Sequence, residues 1–218
     1  MKMKKYVSLV LAAFMMLLCL TACGGVPSEF KGHLMARYIE QIQDGSYTYE
    51  SSRLNDKSDA KTTFCKVADD KVMVTIAQGD STACLMKNGD NYYVISPAQF
   101  AYTDATGATK KQIVAYTTSL SIENWVGGAF VEEGTEKVKG TAYQYEDYYI
   151  ASTQKRTRYF FDEDDNLVMV GVVNSKGKVD EYLTMNIYSA SESAFNQLNS
   201  YHYYDKNGNL VTTTTAAK

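Results

Sequence analysis

The chain has 218 residues, a formal charge of −3 and no basic stripe, which removes the electrostatic basis for binding nucleic acid. Eighteen tyrosines against two prolines favour strands, because tyrosine sets a large apolar body and a polar tip on a pleated surface. The length suits one domain with a substantial core.

The chain opens with Met1-Lys2-Met3-Lys4-Lys5, then an almost unbroken apolar run from Tyr6 to Leu20, then Leu20-Thr21-Ala22-Cys23. That order is a secretory signal of lipoprotein type. The apolar run is short for a membrane span, and no stop-transfer pattern follows it. The last four residues resemble the bacterial lipobox, in which the cysteine thiol takes diacylglycerol and the preceding peptide is removed. The thiolate is the strongest nucleophile among side chains, and two acyl chains meet the requirement for stable anchoring. The competing reading is an uncleaved helix with an incidental cysteine. On the lipobox reading residues 1–22 are the signal peptide, 23–27 a short tether and 28–218 one β-rich domain. Lipid on Cys23 would hold that domain at the extracytoplasmic face of the bacterial cell membrane. Losing three lysines leaves 19 Lys plus Arg against 25 Asp plus Glu, a charge of −6.

From Ser28 to Asp44, Phe30, Leu34, Tyr38 and Ile42 recur every four residues beside Met35 and Ile39. One helix face is predicted, with Ser28 as N-cap, His33 on the helix and Gly45 as the stop. Strands follow at 46–53, 61–68, 71–78, 81–87 and 91–96, with turns at Asp69-Asp70, Gly79-Asp80 and Asn88-Gly89, an antiparallel meander. Pro97 opens an irregular middle with helical stretches at Lys110–Leu120 and Ser121–Val126. Strands resume at 129–139, 141–151, 153–162, 166–174 and 179–189. A helix at Ser191–Asn199 precedes a last pair at 201–205 and 209–215. Phe160-Phe161-Asp162 through Asn166-Leu167-Val168 aligns without a gap on Tyr203-Tyr204-Asp205 through Asn209-Leu210-Val211. Two hairpins of one design are predicted, with Asp and Asn bonding the turn backbone.

Several side-chain groups could carry chemistry. Asp162, Asp164 and Asn166 alternate like the start of a calcium loop, but Leu167 and Val173 stand where that loop needs glycine and glutamate, so a turn is the reading. His33 and His202 have no cysteine or histidine at metal-ligand spacing, so no metal or other cofactor is assigned. Serine-hydrolase, phosphate-loop and dinucleotide fingerprints do not occur. Glu132, Glu133, Glu146 and Asp147 are read as solvated surface groups, and the chain is not read as an enzyme, although a site of dispersed residues would leave no motif. Tyr143, Tyr145, Tyr148, Tyr149, Tyr159, Tyr201, Tyr203 and Tyr204 form the densest aromatic group. Cross-strand pairing is the favoured reading, and a stacking surface for sugar or peptide the alternative.

Cys65 and Cys84 remain after Cys19 and Cys23 are accounted for. Turns at Asp69-Asp70 and Gly79-Asp80 place them on strands flanking 71–78, opposite about Val74 and Thr75. Two strands of separation, roughly 9–10 Å at about 4.8 Å per strand, exceeds the reach of a disulfide. Free buried thiols are predicted.

Leu167-Val168-Met169-Val170 runs apolar on both faces, so the sheet has apolar cover on each side. The odd-numbered residues Val179, Leu183, Met185 and Ile187 are expected inward beside a helix. With the lipobox, the helix after it, and the late segments Tyr143–Tyr148 and Tyr159–Val168, the chain resembles the LolA/LppX-like superfamily of bacterial lipoproteins and lipoprotein carriers. The resemblance implies an α+β fold, mostly antiparallel. It implies a strongly curved half-barrel sheet with the N-terminal and inserted helices on its concave face and a cavity for acyl chains. The soluble carrier of that group is not lipidated, so an anchored rather than shuttling protein is expected. Two functions stay open. One is binding of an apolar or amphiphilic, lipid-like ligand. The other is binding of a protein or glycan partner through the tyrosine-rich surface.

Overall fold

A computed structural model describes residues 30–54, 57, 59–122, 128–205 and 207–211. The leader, Cys23, the tether and Ser28 lie outside the described residues, as do most of the stretch 121–126 and the end of the last strand pair. β1 (Ser46–Arg53), β2 (Lys61–Val67), β3 (Lys71–Gln78), β4 (Ser81–Asn88), β5 (Asn91–Ser96) and β6 (Ala101–Asp104) form one meander. β7 (Ala129–Val138), β8 (Thr141–Ile150), β9 (Lys155–Phe161), β10 (Leu167–Val173) and β11 (Val179–Ser189) form a second. β1 pairs antiparallel with β11, and β12 (His202–Tyr204) runs parallel to β6. One open sheet results, in the order β12-β6-β5-β4-β3-β2-β1-β11-β10-β9-β8-β7. With helices α1 (Ala36–Gln43), α2 (Gly107–Ser119) and α3 (Ser193–Asn196), the fold is α+β, mostly antiparallel and not closed into a barrel.

Turn chemistry sets the register. Gln78 pairs with Ser81 and Asn88 with Asn91, so the turns are Gly79-Asp80 and Gly89-Asp90, each with glycine at positive φ in the first central place. That geometry is the type II′ hairpin rather than the type I′ turn that Asn88-Gly89 suggests. Between β2 and β3 the loop has three residues, Ala68 (φ +56°), Asp69 and Asp70. The third residue shifts the pairing by one, so Cys65 faces Met73 instead of Val74, while Cys84 faces Thr75 as expected. β2 and β4 flank β3, and both cysteines are free, buried thiols.

Each face of the sheet carries its own apolar cover. On one face Tyr38, Ile39 and Ile42 of α1 pack with Phe30 and Met35 onto Tyr47, Tyr49, Phe64, Val74, Tyr148, Phe161, Met185 and Ile187. Burying side chains such as Ile39 and Ile42 is worth roughly 1.5–3 kcal/mol each. α2 leads onto the same face, where Tyr49 Oη donates to the Leu120 carbonyl at 2.7 Å and Ile122 joins the cluster. On the opposite face Phe195 of α3 and Leu198 cover Cys65, Cys84, Met86 and Ile95. Farther along that face Val138, Phe160, Met169, Val173 and Val179 pack with Tyr143, Tyr145 and Tyr182. The run Leu167–Val170 therefore serves both faces, split by a register shift between Leu167 and Met169.

Several expectations are corrected. The first helix begins at Ala36, eight residues after Ser28, because Gly32 adopts φ +89° and turns the chain. His33 thus sits in the turn before α1 instead of on it. Beyond Pro97 a single 3-10 turn gives β6, whose four residues carry too little alternation to read. Leu183, Met185 and Ile187 face the α1 side as expected, but Val179 packs on the other face, past a shift between Gly171 and Val173. The N-terminal helix α1 and the inserted helix α2 share one face as expected, and the late helix α3 lies on the opposite face.

Candidate functional site

β8 places two adjacent buried acids on opposite faces of the sheet. The turn at Lys139-Gly140 pairs Val138 with Thr141, which sets Glu133 against Glu146 and Glu132 against Asp147. The expectation of solvated surface acids is overturned for two of the four, since Glu146 is 3 % exposed and Asp147 fully buried.

Glu146 serves the start of α1, which has no side-chain cap of its own. Its Oε1 accepts from the Leu34 amide at 2.6 Å, and its Oε2 from the Met35 amide and the Tyr148 hydroxyl at 3.0 Å each. A carboxylate at the positive end of a helix satisfies otherwise unpaired N–H groups. Burial and the neighbouring Glu146 charge push the Tyr148 hydroxyl far above its ordinary range. His33 stacks on Phe130 at 4.1 Å and directs Nδ1 between Glu146 Oε1 at 3.5 Å and Glu133 Oε2 at 3.7 Å.

Asp147 organises the other face. Its carboxylate accepts from Arg158 Nε at 2.7 Å, Arg158 Nη2 at 2.9 Å and Arg156 Nε at 2.5 Å. Arg158 also pairs with Glu136 and lies over the Tyr145 ring at 3.7 Å. Burial opposes its charge, yet the bonds to Asp147 and Glu136 prevail and raise its pKa. Tyr182 donates to Glu136 at 2.8 Å, and burial with that bond pushes its pKa up to about 12. Every charge here has a partner, the arrangement of a structural network.

Past α1, the helix-bearing face holds an open depression. Ile150, Thr157, Val170, Val172 and Leu183 line a trough of about 510 Å³, with Arg53, Lys155, Asp180 and Glu181 around it. Arg53 Nε pairs with Glu181 Oε1 at 2.8 Å. An apolar floor with a charged rim, at a volume within the roughly 300–1,000 Å³ of ligand sites, accommodates an amphiphile.

The eight singled-out tyrosines do not form one patch. Tyr148 and Tyr159 are buried beneath the α1 side, Tyr143 and Tyr145 pack on the opposite face, Tyr149 is exposed, and Tyr201, Tyr203 and Tyr204 lie at the β12 end. Cross-strand and neighbouring-ring contacts, such as Tyr148 with Tyr159 at 5.8 Å and Tyr102 with Tyr203 at 5.2 Å, account for many of them. The two matching hairpins carry the same bonds. Asp162 Oδ1 accepts the Asp164 and Asn166 amides at 3.0 and 2.8 Å, and Asp205 Oδ1 the Asn207 and Asn209 amides at 2.8 and 2.9 Å. Asn174 repeats the motif with Lys176 and Lys178, a third copy that sequence comparison misses because its polar residues differ.

No protein-family pattern matches the sequence, and no curated protein matches it. Among solved structures the chain is similar to MucB in complex with MucA(peri), at 15 % identity and a TM-score of 0.34, over 72 % of this chain and 56 % of that one. A MucA/MucB complex from Pseudomonas aeruginosa gives 14 %, 0.35, and 72 % and 57 %. An uncharacterized conserved protein from Thermus thermophilus gives 8 % and 0.36, over 78 % of this chain and 96 % of that one. The chain thus spans a little over half the length of the MucB chains. Scores of this size assign neither a family nor a function. Among the described residues no helix is long and apolar enough to cross a membrane.

Proposed function

We propose that the chain is a LolA/LppX-like lipoprotein, anchored through diacylglycerol on Cys23, which binds an apolar or amphiphilic ligand in the trough beside α1. The observation that carries this reading is the trough itself, with buried Ile150 and Val170 in its floor beside partly buried Leu183 and exposed Val172, on the face that α1 and α2 cover elsewhere. An acyl or similar chain would lie on that floor, with a polar head among Arg53, Lys155 and Glu181. The role is binding rather than catalysis. The dispersal of the eight tyrosines between both faces and the β12 end argues against a single partner surface built from all of them.

The Cys23→Ala protein separates covalent from non-covalent lipid. Wild type should enter the detergent phase and Cys23→Ala the aqueous phase; retention of Cys23→Ala in detergent would defeat the anchor. Native mass spectrometry of Cys23→Ala should then show amphiphile adducts that vanish in Cys23→Ala/Leu183→Trp, whose indole fills the trough. Ligand-free spectra, with no displaceable fluorescent fatty acid, would defeat the binding reading while leaving the anchor standing.

A further inference from the structure

We propose that His33, Glu133 and Glu146 form a divalent transition-metal site that pins the turn before α1 to the β7–β8 edge pair. His33 Nδ1 and one oxygen of each carboxylate lie within 4.8 Å of one another. The Nδ1 atom is buried and has no hydrogen-bond partner, an arrangement that buried polar atoms rarely keep. Its distances of 3.5 Å to Glu146 and 3.7 Å to Glu133 are long for hydrogen bonds. They are close to the separation of about 3.4 Å between two donors that share a tetrahedral zinc at about 2.0–2.1 Å.

The chemistry of the three donors agrees. Imidazole nitrogen with two carboxylate oxygens is a zinc-type set, and three protein ligands leave a fourth position for water. A carboxylate has about four lone-pair sites, and Glu146 uses three on the Leu34 and Met35 amides and the Tyr148 hydroxyl. The fourth is on Oε1, which lies 3.5 Å from His33 Nδ1. Those same bonds fix the Glu146 carboxylate, and stacking on Phe130 orients the imidazole ring, so two of the three donors are held in place. Two carboxylates face the site, one of them 4 % exposed in its side chain, and a divalent cation is the partner their oxygens suit. Spacing in sequence hides the site, since 100 residues separate His33 from Glu133.

The test is calorimetry with Zn²⁺ on full-length, untagged protein stripped with EDTA. One equivalent of zinc should bind and raise the thermal midpoint. Glu133→Gln, whose side chain is 67 % exposed, should unfold like wild type without zinc yet bind at least about tenfold more weakly. His33→Gln should abolish binding, and millimolar Ca²⁺, which wants six to eight oxygens, should not compete. Absence of zinc binding, unchanged affinity in Glu133→Gln or His33→Gln, or equal binding of Ca²⁺ would each overturn the site.

Discussion

Replacing Arg158 by methionine tests whether the charges behind β8 hold the sheet together. The change keeps most of the aliphatic stem but removes the guanidinium that lies over the Tyr145 ring and two of the three hydrogen bonds that Asp147 receives. Asp147 is fully buried and would retain only Arg156, itself shared with Glu132. Breaking a buried pair by removing one partner costs about 3–5 kcal/mol, most of it the burden of an uncompensated charge. Arg158→Met should fall in that range. Asp147→Asn should cost less, about 2–3 kcal/mol, because Arg158 keeps Glu136 and a neutral amide is cheaper to bury. The double variant Asp147→Leu/Arg158→Met, with neither charge left, should recover to within about 1 kcal/mol of wild type. Urea unfolding followed by fluorescence is the assay, since a salt denaturant would screen the interaction being measured. Arg158→Met within about 1 kcal/mol of wild type, or a double variant no better than the worse single, would refute the reasoning.

Backbone amides of Asn166 and Asn209 hold the Asp162 and Asp205 carboxyls below their ordinary value of 3.8. A depressed folded-state value contributes stability above pH 3.8 that is lost as pH falls through the folded value, so carboxyl NMR titrations should show midpoints below 3.8 for both, and Asp162→Ala should lower the thermal midpoint more at pH 7 than in strong acid. At Gly171 a methyl group would lie 2.2 Å from Val179 Cγ1 and 2.9 Å from the Glu181 carbonyl, so Gly171→Ala should lose about 1–3 kcal/mol in urea unfolding; a loss below about 0.5 kcal/mol would show that β11 yields there.

Local information made the hairpins legible. Glycine at positive φ, or a side-chain oxygen that bonds two amides ahead, is specified by the turn residues themselves, and Gly79, Gly89, Asp162 and Asp205 all act in this way. The facing acids were legible by the same rule. Once Lys139-Gly140 is taken as a two-residue turn, counting back from Val138 and Thr141 brings Glu133 to Glu146 and Glu132 to Asp147. The signal went unused because charged residues on a strand suggest solvent unless their partners are known, and the partners Arg156 and Arg158 arrive from β9. Register shifts were not legible. The extra residues near Val168 and Val172 have no mark in composition, and one such shift sends Val179 to the face opposite Leu183. The start of α1 was hidden because Gly32 interrupts a stretch whose apolar spacing is helical throughout.

Glu146 and Asp147 show how one strand can bury two like charges side by side. Alternation of side chains across the pleat puts them on opposite faces, so each is neutralised by a different environment. Asp147 is met by two guanidinium groups, and Arg158, its most buried partner, has Glu136 and an aromatic ring as well. Glu146 is met by two amides and a hydroxyl, which carry dipoles but no full charge. Hydrogen bonding is therefore nearly complete at both acids, while charge compensation is complete at Asp147 alone. The proposed cation site lies at Glu146, where its carboxylate and that of Glu133 face the unpartnered Nδ1 of His33.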